Sequence, residues 1–370
     1  MTSIPRTLKG CVTSMDRVMM TCVLALTICG IFCVYSAASG AMGRGWSLAL
    51  RQAGWTVVSC AALLAVSLVG HERLMSVAWP IYGLTLLLLL STAILAPRVK
   101  GAQSWLSVAG LRFQPSELAK VSLILALSKV LSRRPPFDAR SFAVGLGTAL
   151  PAVILVAIQP DVGSALVYLA MTMGMLLAAG APWRYLGAVL GAGLMTAPLS
   201  WLALKDYQRM RLLVFLDPMR DPLGAGYNVI QSRIAVGSGG AWGKGFMMGT
   251  QSKLRFLPEP HTDFIFSVCS EELGFFGDVA ILLLFAIILW RIIKAGMRSR
   301  DRRCKIMVAG VAVWIWSQMF ESMGMSIGLL PVTGLPLPFI SYGGSSLLAI
   351  FIAIGLVGSI YIDGARRPWL

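Results

Sequence analysis

The stretch VMMTCVLALTICGIFCVY (residues 18–35) contains no charged residue. An apolar run of this length is typical of a transmembrane helix, because about 20 apolar residues cross the hydrocarbon core of a bilayer. Arg6 and Lys9 precede the run and Ser36 to Ala38 follow it, an arrangement that resembles a signal peptide with its cleavage site. The run is long for a secretory signal and similar runs follow it, so we predict a retained first membrane helix.

Similar apolar runs recur along the chain, and short polar turns separate most of them. The chain is 57% hydrophobic and only 13% charged, with a mean hydropathy of +0.76, whereas a soluble protein is about 25% charged. We therefore predict an all-α polytopic membrane protein in which residues 1–370 form one transmembrane domain. The ten predicted membrane segments are residues 17–37, 50–70, 75–96, 116–132, 139–158, 162–180, 183–204, 264–291, 306–327 and 340–362.

The distribution of basic residues predicts the orientation of these segments. Lysine and arginine concentrate in the short cytoplasmic loops of membrane proteins, and a cytoplasmic N-terminus puts most short basic loops on that side, including the cluster from Arg291 to Lys305. An even number of segments then returns the C-terminus to the cytoplasm. The long basic loop between the seventh and eighth segments, about 205–262, is predicted to be periplasmic, since long loops translocate regardless of charge.

This basic outer surface indicates a polyanionic ligand. The chain carries a net charge of +16, but nucleic acid is disfavoured because no basic stripe with interleaved aromatic residues is present. Two ligands stay open on the residues alone. One is a lipid phosphate or diphosphate in a dedicated site, and the other is the ordinary anionic headgroups of the bilayer.

The long loop itself contains two recognisable pieces. YQRMRLLVFLDP (207–218) is amphipathic, and residues 228–236 predict a short helix in the membrane interface. The glycines between Gly237 and Gly249 allow close backbone approach to a ligand, but no strand precedes them and their spacing is not that of a phosphate-binding loop. We predict a flexible surface loop there.

Two acidic positions lie at the outer ends of apolar runs. In FQPSELAK (113–120), Glu117 falls in a first helical turn, where the helix dipole stabilises it. Lys120 lies one turn deeper and is spaced to pair with Glu117, and a structural pair and a functional pair are equally consistent with the sequence. In IQPDVGSAL (158–166), Asp161 either caps the next helix or faces a ligand, and capping is the simpler account.

The stretch GTQSKLRFLPEPHTDFIFSVCSEELG (249–274) is polar and proline-broken although long apolar runs surround it. Thr262 can cap the eighth membrane helix, which puts Asp263 in its first turn beside His261. A carboxylate at the mouth of a membrane bundle is costly unless something uses or satisfies it, so Asp263 is the leading functional candidate. The end of the stretch, 270–274, predicts a helix break, and GLPLPFISYGGSS (334–346) predicts irregular backbone that is buried or lines a cavity.

The sequence excludes several catalytic classes. It contains no GxSxG, HExxH or Walker A motif and only two histidines. Its seven cysteines are scattered without a CxxC pair, which indicates small hydrophobic residues and not a metal or disulfide framework. A carboxylate with several cations at a lipid surface fits transfer chemistry on a lipid-phosphate donor, or transport of an anionic lipid or a proton-coupled solute.

Eight motifs along the chain closely resemble those of the SEDS family (shape, elongation, division and sporulation). They are KGAQSWL (100–106), RFQPSELAK (112–120), QPDVGSA (159–165), YQRMR (207–211), DPLGAGYNVIQSRIAVGSGG (221–240), GTQSKLRFLPEPHTDFIF (249–266), EELG (271–274) and PLPFISYGGSS (336–346). The likeness extends from about residue 17 to residue 362. Within the family, AVGSGGAWGKG followed by GTQSKLRFLPE is similar to the elongation branch, and the division branch usually differs in this stretch.

The resemblance implies a ten-span peptidoglycan glycosyltransferase of the bacterial inner membrane that polymerises lipid II on its periplasmic side. Asp263 falls on the aspartate regarded as essential in the family's HTDFIF motif, and Glu117 and Lys120 match its paired charges in the fourth span. Asp278 departs from the family, in which an apolar residue is expected. The other substrate-binding positions expected around the outer cavity are Lys100, Arg112, Gln114, Asp161, Gln208, Arg209, His261 and Ser341.

The implied reaction is a single inverting displacement, because the donor sugar is α-linked to its diphosphate and the product linkage is β. Diphosphate is already a good leaving group, so one general base, Asp263, is enough to activate the acceptor. Arginine and lysine side chains would stabilise the departing undecaprenyl pyrophosphate. A divalent cation, magnesium or manganese, is left open for the same task.

The resemblance also implies partners. These are lipid II, membrane lipids, a class B penicillin-binding protein that supplies the transpeptidase, and the rod-shape proteins MreB, MreC and MreD; nucleic acid is not expected. Three alternatives stay open: a division-type glycosyltransferase, a lipid II flippase that translocates without making glycan strands, and a non-catalytic scaffold.

Overall fold

The computed structural model describes the chain except residues 1–7, 40–42, 98–103, 109–110, 204–205, 255, 258 and 367–370. The described residues form fifteen α-helices, one short 3-10 helix (Pro218–Arg220) and one two-stranded hairpin. The helices are α1 (Leu8–Ser14), α2 (Arg17–Ser39), α3 (Gly45–Val69), α4 (His71–Ser76), α5 (Ala78–Leu95), α6 (Pro115–Arg133), α7 (Ala139–Ile158), α8 (Val162–Ala178), α9 (Trp183–Ala203), α10 (Asp206–Leu216), α11 (Ala225–Ser238), α12 (Thr250–Lys253), α13 (Ile265–Arg298), α14 (Arg302–Ile327) and α15 (Gly344–Arg366). The strands are β1 (Leu106–Val108) and β2 (Leu111–Phe113), paired antiparallel.

Each of the ten predicted membrane segments coincides with a long helix. Seven helices in the described part of the chain are long and apolar enough to cross a membrane, namely α2, α3, α5, α7, α13, α14 and α15. The remaining three segments coincide with α6, α8 and α9, of 19, 17 and 21 residues. The protein is therefore a polytopic all-α membrane protein, as its composition predicts, and a count of ten crossings stays a prediction.

Three helices, α6, α14 and α15, form the centre of the bundle. The most apolar windows of α14 and α15 are 78% and 83% buried, whereas that of α3 is 22% buried, as expected for a helix that faces lipid. Small residues let the inner helices approach closely, which is how membrane helices gain packing energy. A Cβ at Gly174 of α8 would lie 2.5 Å from Val313 Cγ2 of α14.

Helix α13 breaks at Gly274, where the backbone takes φ 69° and ψ −170°, and this confirms the predicted interruption of 270–274. The glycine-rich stretch from Gly237 to Gly245 packs its backbone against the break. Lys244 N and Gly245 N donate to the carbonyls of Glu271 and Glu272 at 2.9 and 3.0 Å. A Cβ at Gly274 would lie 2.2 Å from Gly243 N, so only glycine fits this crossing.

The long loop is therefore more structured than its sequence predicted. The glycine-rich stretch, which we expected to be a flexible surface loop, is hydrogen-bonded to α13 because its missing side chains permit backbone contact. The predicted interfacial helix is α11, and it is docked into the bundle: Ser232 is fully buried and its Oγ lies 2.7 Å from Ser267 Oγ and 2.6 Å from the Ser326 carbonyl oxygen. The stretch YQRMRLLVFLDP, for which the sequence predicted no secondary structure, forms α10 (Asp206–Leu216).

Candidate active site

Asp263 lies in a turn that precedes α13, which we call the Asp263 turn (residues 259–264). Our expectation that Thr262 caps the helix is wrong, because α13 begins at Ile265 with Phe264 as its N-cap. The Thr262 hydroxyl instead donates to the Glu259 carbonyl within the turn at 3.4 Å. Asp263 is thus outside the first helical turn, in irregular backbone that positions it independently of the helix geometry.

A second irregular segment, the linker between α14 and α15 (residues 328–343), holds the Asp263 turn in place. Ser341 Oγ accepts from Leu337 N within the linker and donates to the Thr262 carbonyl, both at 2.7 Å. Tyr342 N donates to the His261 carbonyl at 2.9 Å. The His261 ring is buried and packs on the Tyr342 ring with centroids 5.7 Å apart. Two expected site residues, Ser341 and His261, therefore join the two irregular segments.

The Asp263 carboxylate faces the linker at Gly334. A Cβ at Gly334 would lie 3.4 Å from Asp263 Oδ2, and this glycine has a φ of +77° that other residues rarely adopt. Asp263 is itself partly buried. The carboxylate consequently lies against the linker backbone and keeps part of its surface accessible.

Gln52 of α3 also clamps the linker, and the sequence interpretation missed it. Its Nε2 donates to the Ser341 carbonyl at 3.1 Å and its Oε1 accepts from Gly343 N at 3.4 Å. The side chain is fully buried. The signal in the sequence is an amide near the start of a membrane segment, which has to find partners when it is buried.

The pair formed by Glu117 and Lys120 is confirmed as an ion pair. Lys120 Nζ lies 2.7 Å from Glu117 Oε1 on one face of α6, and both side chains are fully buried. Lys120 also donates to Gln318 Oε1 on α14 at 3.2 Å. Glu117 Oε2 has no hydrogen-bond partner in the described part of the chain. A buried carboxylate oxygen without a protein partner is uncommon in folded proteins.

Gln318 continues this contact to the linker, and it is a second residue that the sequence interpretation missed. Its Oε1 accepts from Lys120 and, at 2.7 Å, from Trp314 Nε1, while its Nε2 donates to the Pro336 carbonyl at 2.9 Å. Both the oxygen and the nitrogen of the side-chain amide are therefore hydrogen-bonded, and these partners fix the orientation of the amide. Hydrogen bonds run without a gap from the buried ion pair to the segment that holds the Asp263 turn.

Asp161 caps α8, which confirms the simpler of its two accounts. Its Oδ1 accepts from Ser164 N at 3.0 Å and its Oδ2 from Ser164 Oγ at 2.8 Å. Gln114, the N-cap residue of α6, reaches Asp161 Oδ2 with its Nε2 at 3.5 Å, and Gln114 N donates to Ser345 Oγ of α15 at 3.2 Å. Burial raises the pKa of the Asp161 carboxyl, and the hydrogen bonds from Ser164 oppose that rise.

The remaining predicted residues belong to the long loop and to the segment before α6. Lys100 lies outside the described residues, and only the backbone is described for Arg112 on β2 and Gln208 on α10. Arg209 lies on α10 and is partly buried. Its neighbour Arg211 donates to the Val332 carbonyl at 3.5 Å, so α10 contacts the linker just before Gly334.

The described residues also show what the protein offers to a metal ion. No group of three or more His, Cys, Asp or Glu side chains in the described part of the chain is arranged to hold a metal ion. All seven cysteines are free thiols. The described residues therefore offer cations and carboxylates to a ligand, without a protein-held metal centre.

Nearly the whole chain is similar to known proteins. The profile of the FtsW/RodA/SpoVE family, described as cell cycle protein, matches residues 16–364. The chain is 35% identical over 350 residues to the peptidoglycan glycosyltransferase MrdB of Escherichia coli K12, covering 94% of this chain and 93% of that protein. It is 36% identical over 357 residues to the probable peptidoglycan glycosyltransferase FtsW of Geobacter metallireducens, covering 92% and 93%.

Solved structures give the same similarity. One chain, solved in work on the structural coordination of polymerization and crosslinking by a peptidoglycan synthase complex, superposes with a TM-score of 0.82 at 35% identity, covering 95% of this chain and 99% of that one. The rod shape determining protein RodA of Thermus thermophilus superposes with a TM-score of 0.71 at 30% identity, covering 94% and 97%.

Proposed function

The chain belongs to the FtsW/RodA/SpoVE family of cell cycle proteins and is a peptidoglycan glycosyltransferase, and on that premise we propose that it polymerises lipid II with Asp263 as general base. The observation that carries the assignment is the position of the Asp263 carboxylate, which lies against Gly334 in a turn that Ser341 holds to the linker. Relatives of both branches are equally similar, so the elongation role rests on the AVGSGGAWGKG stretch (235–245).

The proposed step is one inverting displacement at the anomeric carbon of the donor. The C4 hydroxyl oxygen of the acceptor sugar forms the new bond to C1, and the bond from C1 to the diphosphate oxygen breaks. The hydroxyl proton goes to the Asp263 carboxylate, and the electron pair of the broken bond leaves with undecaprenyl pyrophosphate. Because the leaving group is already stabilised, the base is the main catalytic group that the protein has to supply.

Cations of the outer surface would bind the diphosphate. Arg209 and Arg211 are on α10, which contacts the linker beside Gly334, and Lys100 and Arg112 belong to the segment before α6. Arginine is suited to phosphate because its planar fork of N–H groups donates two parallel hydrogen bonds. A divalent cation stays a prediction; because the described carboxylates do not form a protein-held site for it, no step is assigned to one.

Lys120 and Gln318 are proposed as positioning residues for this base. Gln318 donates to the Pro336 carbonyl, one residue before the Leu337 amide that bonds Ser341. Ser341 in turn donates to the carbonyl of Thr262, the neighbour of Asp263. The buried ion pair therefore supports, through Gln318, the backbone that orients the carboxylate. A base must be held within hydrogen-bond reach of its proton for the rate gain to be realised.

The protein is a multi-pass membrane protein, and we place it in the bacterial inner membrane with Asp263 on the periplasmic side, where glycan strands are made. A class B penicillin-binding protein is its proposed partner, supported by the similarity to a chain from a complex that coordinates polymerization and crosslinking. MreB, MreC and MreD are proposed on the elongation role alone.

The test is polymerisation of lipid II by the purified full-length protein, with glycan products separated on gels. Asp263→Asn is expected to lower the rate by about 10²–10⁴-fold, the usual contribution of a general base. Asp278→Asn is the matched control: this aspartate is on α13, the helix that follows the Asp263 turn, accepts from Ser270 Oγ at 3.0 Å, and has no part in the proposed site. Product formation by Asp263→Asn at the rate of the control would refute the assignment.

The same preparation separates a polymerase from a flippase. A flippase translocates labelled lipid II across proteoliposomes and leaves it unpolymerised, whereas the proposed enzyme yields glycan strands that lysozyme digests. Translocation without strands, abolished by Asp263→Asn, would favour the flippase.

A further inference from the structure

The opposite end of α6 contains a cavity that the proposed reaction does not use. It has a volume of about 300 Å³ and lies between α4, the last turns of α6 and the start of α14. This is the end of the bundle that the basic residues predict to be cytoplasmic. Its polar lining consists of Glu72, Ser76, Lys129, Ser132, Arg133 and Arg303.

The cavity carries excess positive charge that the protein leaves unneutralised. Three cations line it against the single carboxylate of Glu72. Neither Glu72 nor Arg133 forms an ion pair within the described residues. The one ion pair of Arg303 in the described part of the chain is with Asp301, at 3.8 Å with both side chains about half exposed, and such a pair contributes little.

One cation is held against the wall of the cavity. Lys129 Nζ donates to the Ser76 carbonyl at 2.9 Å, which fixes the ammonium group and leaves two of its three N–H groups for a ligand. The two arginines can supply paired N–H donors from the sides. A concave site of this size, with one fixed ammonium group and two guanidinium groups, is suited to an oxyanion with several acceptor oxygens.

We propose that this cavity binds a phosphate group at the cytoplasmic membrane surface, most directly the headgroup phosphate of an anionic phospholipid. Basic pockets between transmembrane helices on the cytoplasmic side bind such headgroups, and the anionic inner leaflet concentrates them there. A soluble phosphate has the same chemistry, and the two sources differ in whether acyl chains contribute to binding. The inference does not depend on the proposed function of Asp263.

The test is native mass spectrometry of the purified full-length protein in detergent micelles, titrated with dioleoylphosphatidylglycerol or dioleoylphosphatidylcholine. Each cation near an anionic surface contributes roughly a fivefold factor in binding. The triple variant Lys129→Gln/Arg133→Gln/Arg303→Gln is therefore expected to bind phosphatidylglycerol about a hundredfold more weakly than the wild type. The control triple variant Arg140→Gln/Arg184→Gln/Lys294→Gln removes the same charge on the same predicted side and is expected to bind like the wild type.

Glu72→Gln provides a gain of binding that misfolding cannot imitate, because removing the one carboxylate raises the net charge of the cavity. We expect it to bind phosphatidylglycerol roughly fivefold more tightly. Inorganic phosphate, added to the protein with phosphatidylglycerol bound, distinguishes the sources: displacement of the lipid at low millimolar phosphate supports a soluble phosphate ligand, and retained lipid binding supports the headgroup. Equal binding of both lipids, or equal loss in the two triple variants, would overturn the proposal.

Discussion

Two buried glutamates in this protein each pair with a lysine at 2.7 Å, and their surroundings are opposite. Glu271, at the break in α13, accepts from Lys244 Nζ and also from Thr250 N at 2.8 Å, Thr250 Oγ1 at 3.0 Å and Gln251 N at 3.2 Å. Glu117, on α6, accepts from Lys120 alone, and its second oxygen has no hydrogen-bond partner in the described part of the chain.

The difference separates a structural pair from one that stability does not account for. The donors around Glu271 tie α12 and the glycine-rich stretch to α13, so the carboxylate is satisfied by the segments that it holds together. Glu117 and Lys120 both lie on α6, so the ion pair between them does not connect two separate segments of the protein. Burying such a pair gains little over apolar residues. What Lys120 adds is its contact with Gln318 and, through it, with the linker.

The largest expected effect comes from breaking the Glu117 pair on one side. Lys120→Met leaves a fully buried carboxylate without compensation, which costs about 3–5 kcal/mol of stability. The measurement is the free energy of unfolding in detergent micelles. Lys129→Met is the control on the same helix, since this partly buried lysine loses one hydrogen bond, to the Ser76 carbonyl, and the change is expected to cost about 0.5–1.5 kcal/mol.

The double variant Glu117→Gln/Lys120→Met then decides whether the pair has a function. Replacing both charges removes the uncompensated carboxylate, so most of the lost stability should return. Lipid II polymerisation per folded molecule should stay low, because the contact from Lys120 to Gln318 is still absent. Recovery of both stability and activity would show that the pair is only structural.

The next largest effect is expected at the other glutamate. Glu271→Ala strips the acceptor from the Lys244, Thr250 and Gln251 donors at once, and a hydrogen bond to a charged group contributes about 1.5–3 kcal/mol. Because water can reach part of this loop, we expect a net cost of about 2–3 kcal/mol. Polymerisation per folded molecule should be retained, and a selective loss of activity would contradict the structural assignment.

The sequence predicted these two regions unequally. The membrane helices could be predicted because the length of an apolar run is enough to indicate one. The pair of Glu117 with Lys120 could be predicted from the i, i+3 spacing on a helix. The glycine-rich stretch was misjudged, because a loop rich in glycine looks the same in sequence whether it is free or paired with a helix break 30 residues later. Long-range backbone contact of this kind leaves no local pattern.

The candidate site shows the same limit. Asp263, Ser341 and His261 stand out as polar residues in proline-broken stretches, and the resemblance to the SEDS family named them. Gln52 and Gln318 were not found, because a single amide in an apolar helix does not indicate which distant carbonyl it bonds. Thr262 was predicted to be a cap because of its position before the helix. In the structure, its carbonyl oxygen instead accepts a hydrogen bond from Ser341 Oγ of the linker.

A smaller effect on stability is expected at Gln318. Gln318→Met leaves the Trp314 N–H and the Pro336 carbonyl without a partner, which costs about 1–2 kcal/mol. A positioning role predicts a fall in kcat of roughly tenfold with KM unchanged, since the loss affects the transition state and not the binding of lipid II. Ser317→Ala is the control, because among the described residues that hydroxyl donates to one acceptor, the Trp314 carbonyl within α14. If activity fell only in proportion to the folded fraction, the role of Gln318 would be structural and the positioning role would be refuted.

The smallest effect is expected when Glu271 loses only its lysine. Lys244 is 28% exposed, and an ion pair that water and salt can reach contributes about 0–1 kcal/mol. In Lys244→Met, Glu271 keeps the Thr250 and Gln251 donors, so the unfolding free energy should fall by less than about 1 kcal/mol. The difference from the wild type should shrink further in 1 M salt, where charge interactions are screened within about 3 Å. If Lys244→Met lowered the unfolding free energy as much as Lys120→Met, the other donors around a buried glutamate would not reduce the stability lost with its lysine. The distinction between the two pairs would then have to be abandoned.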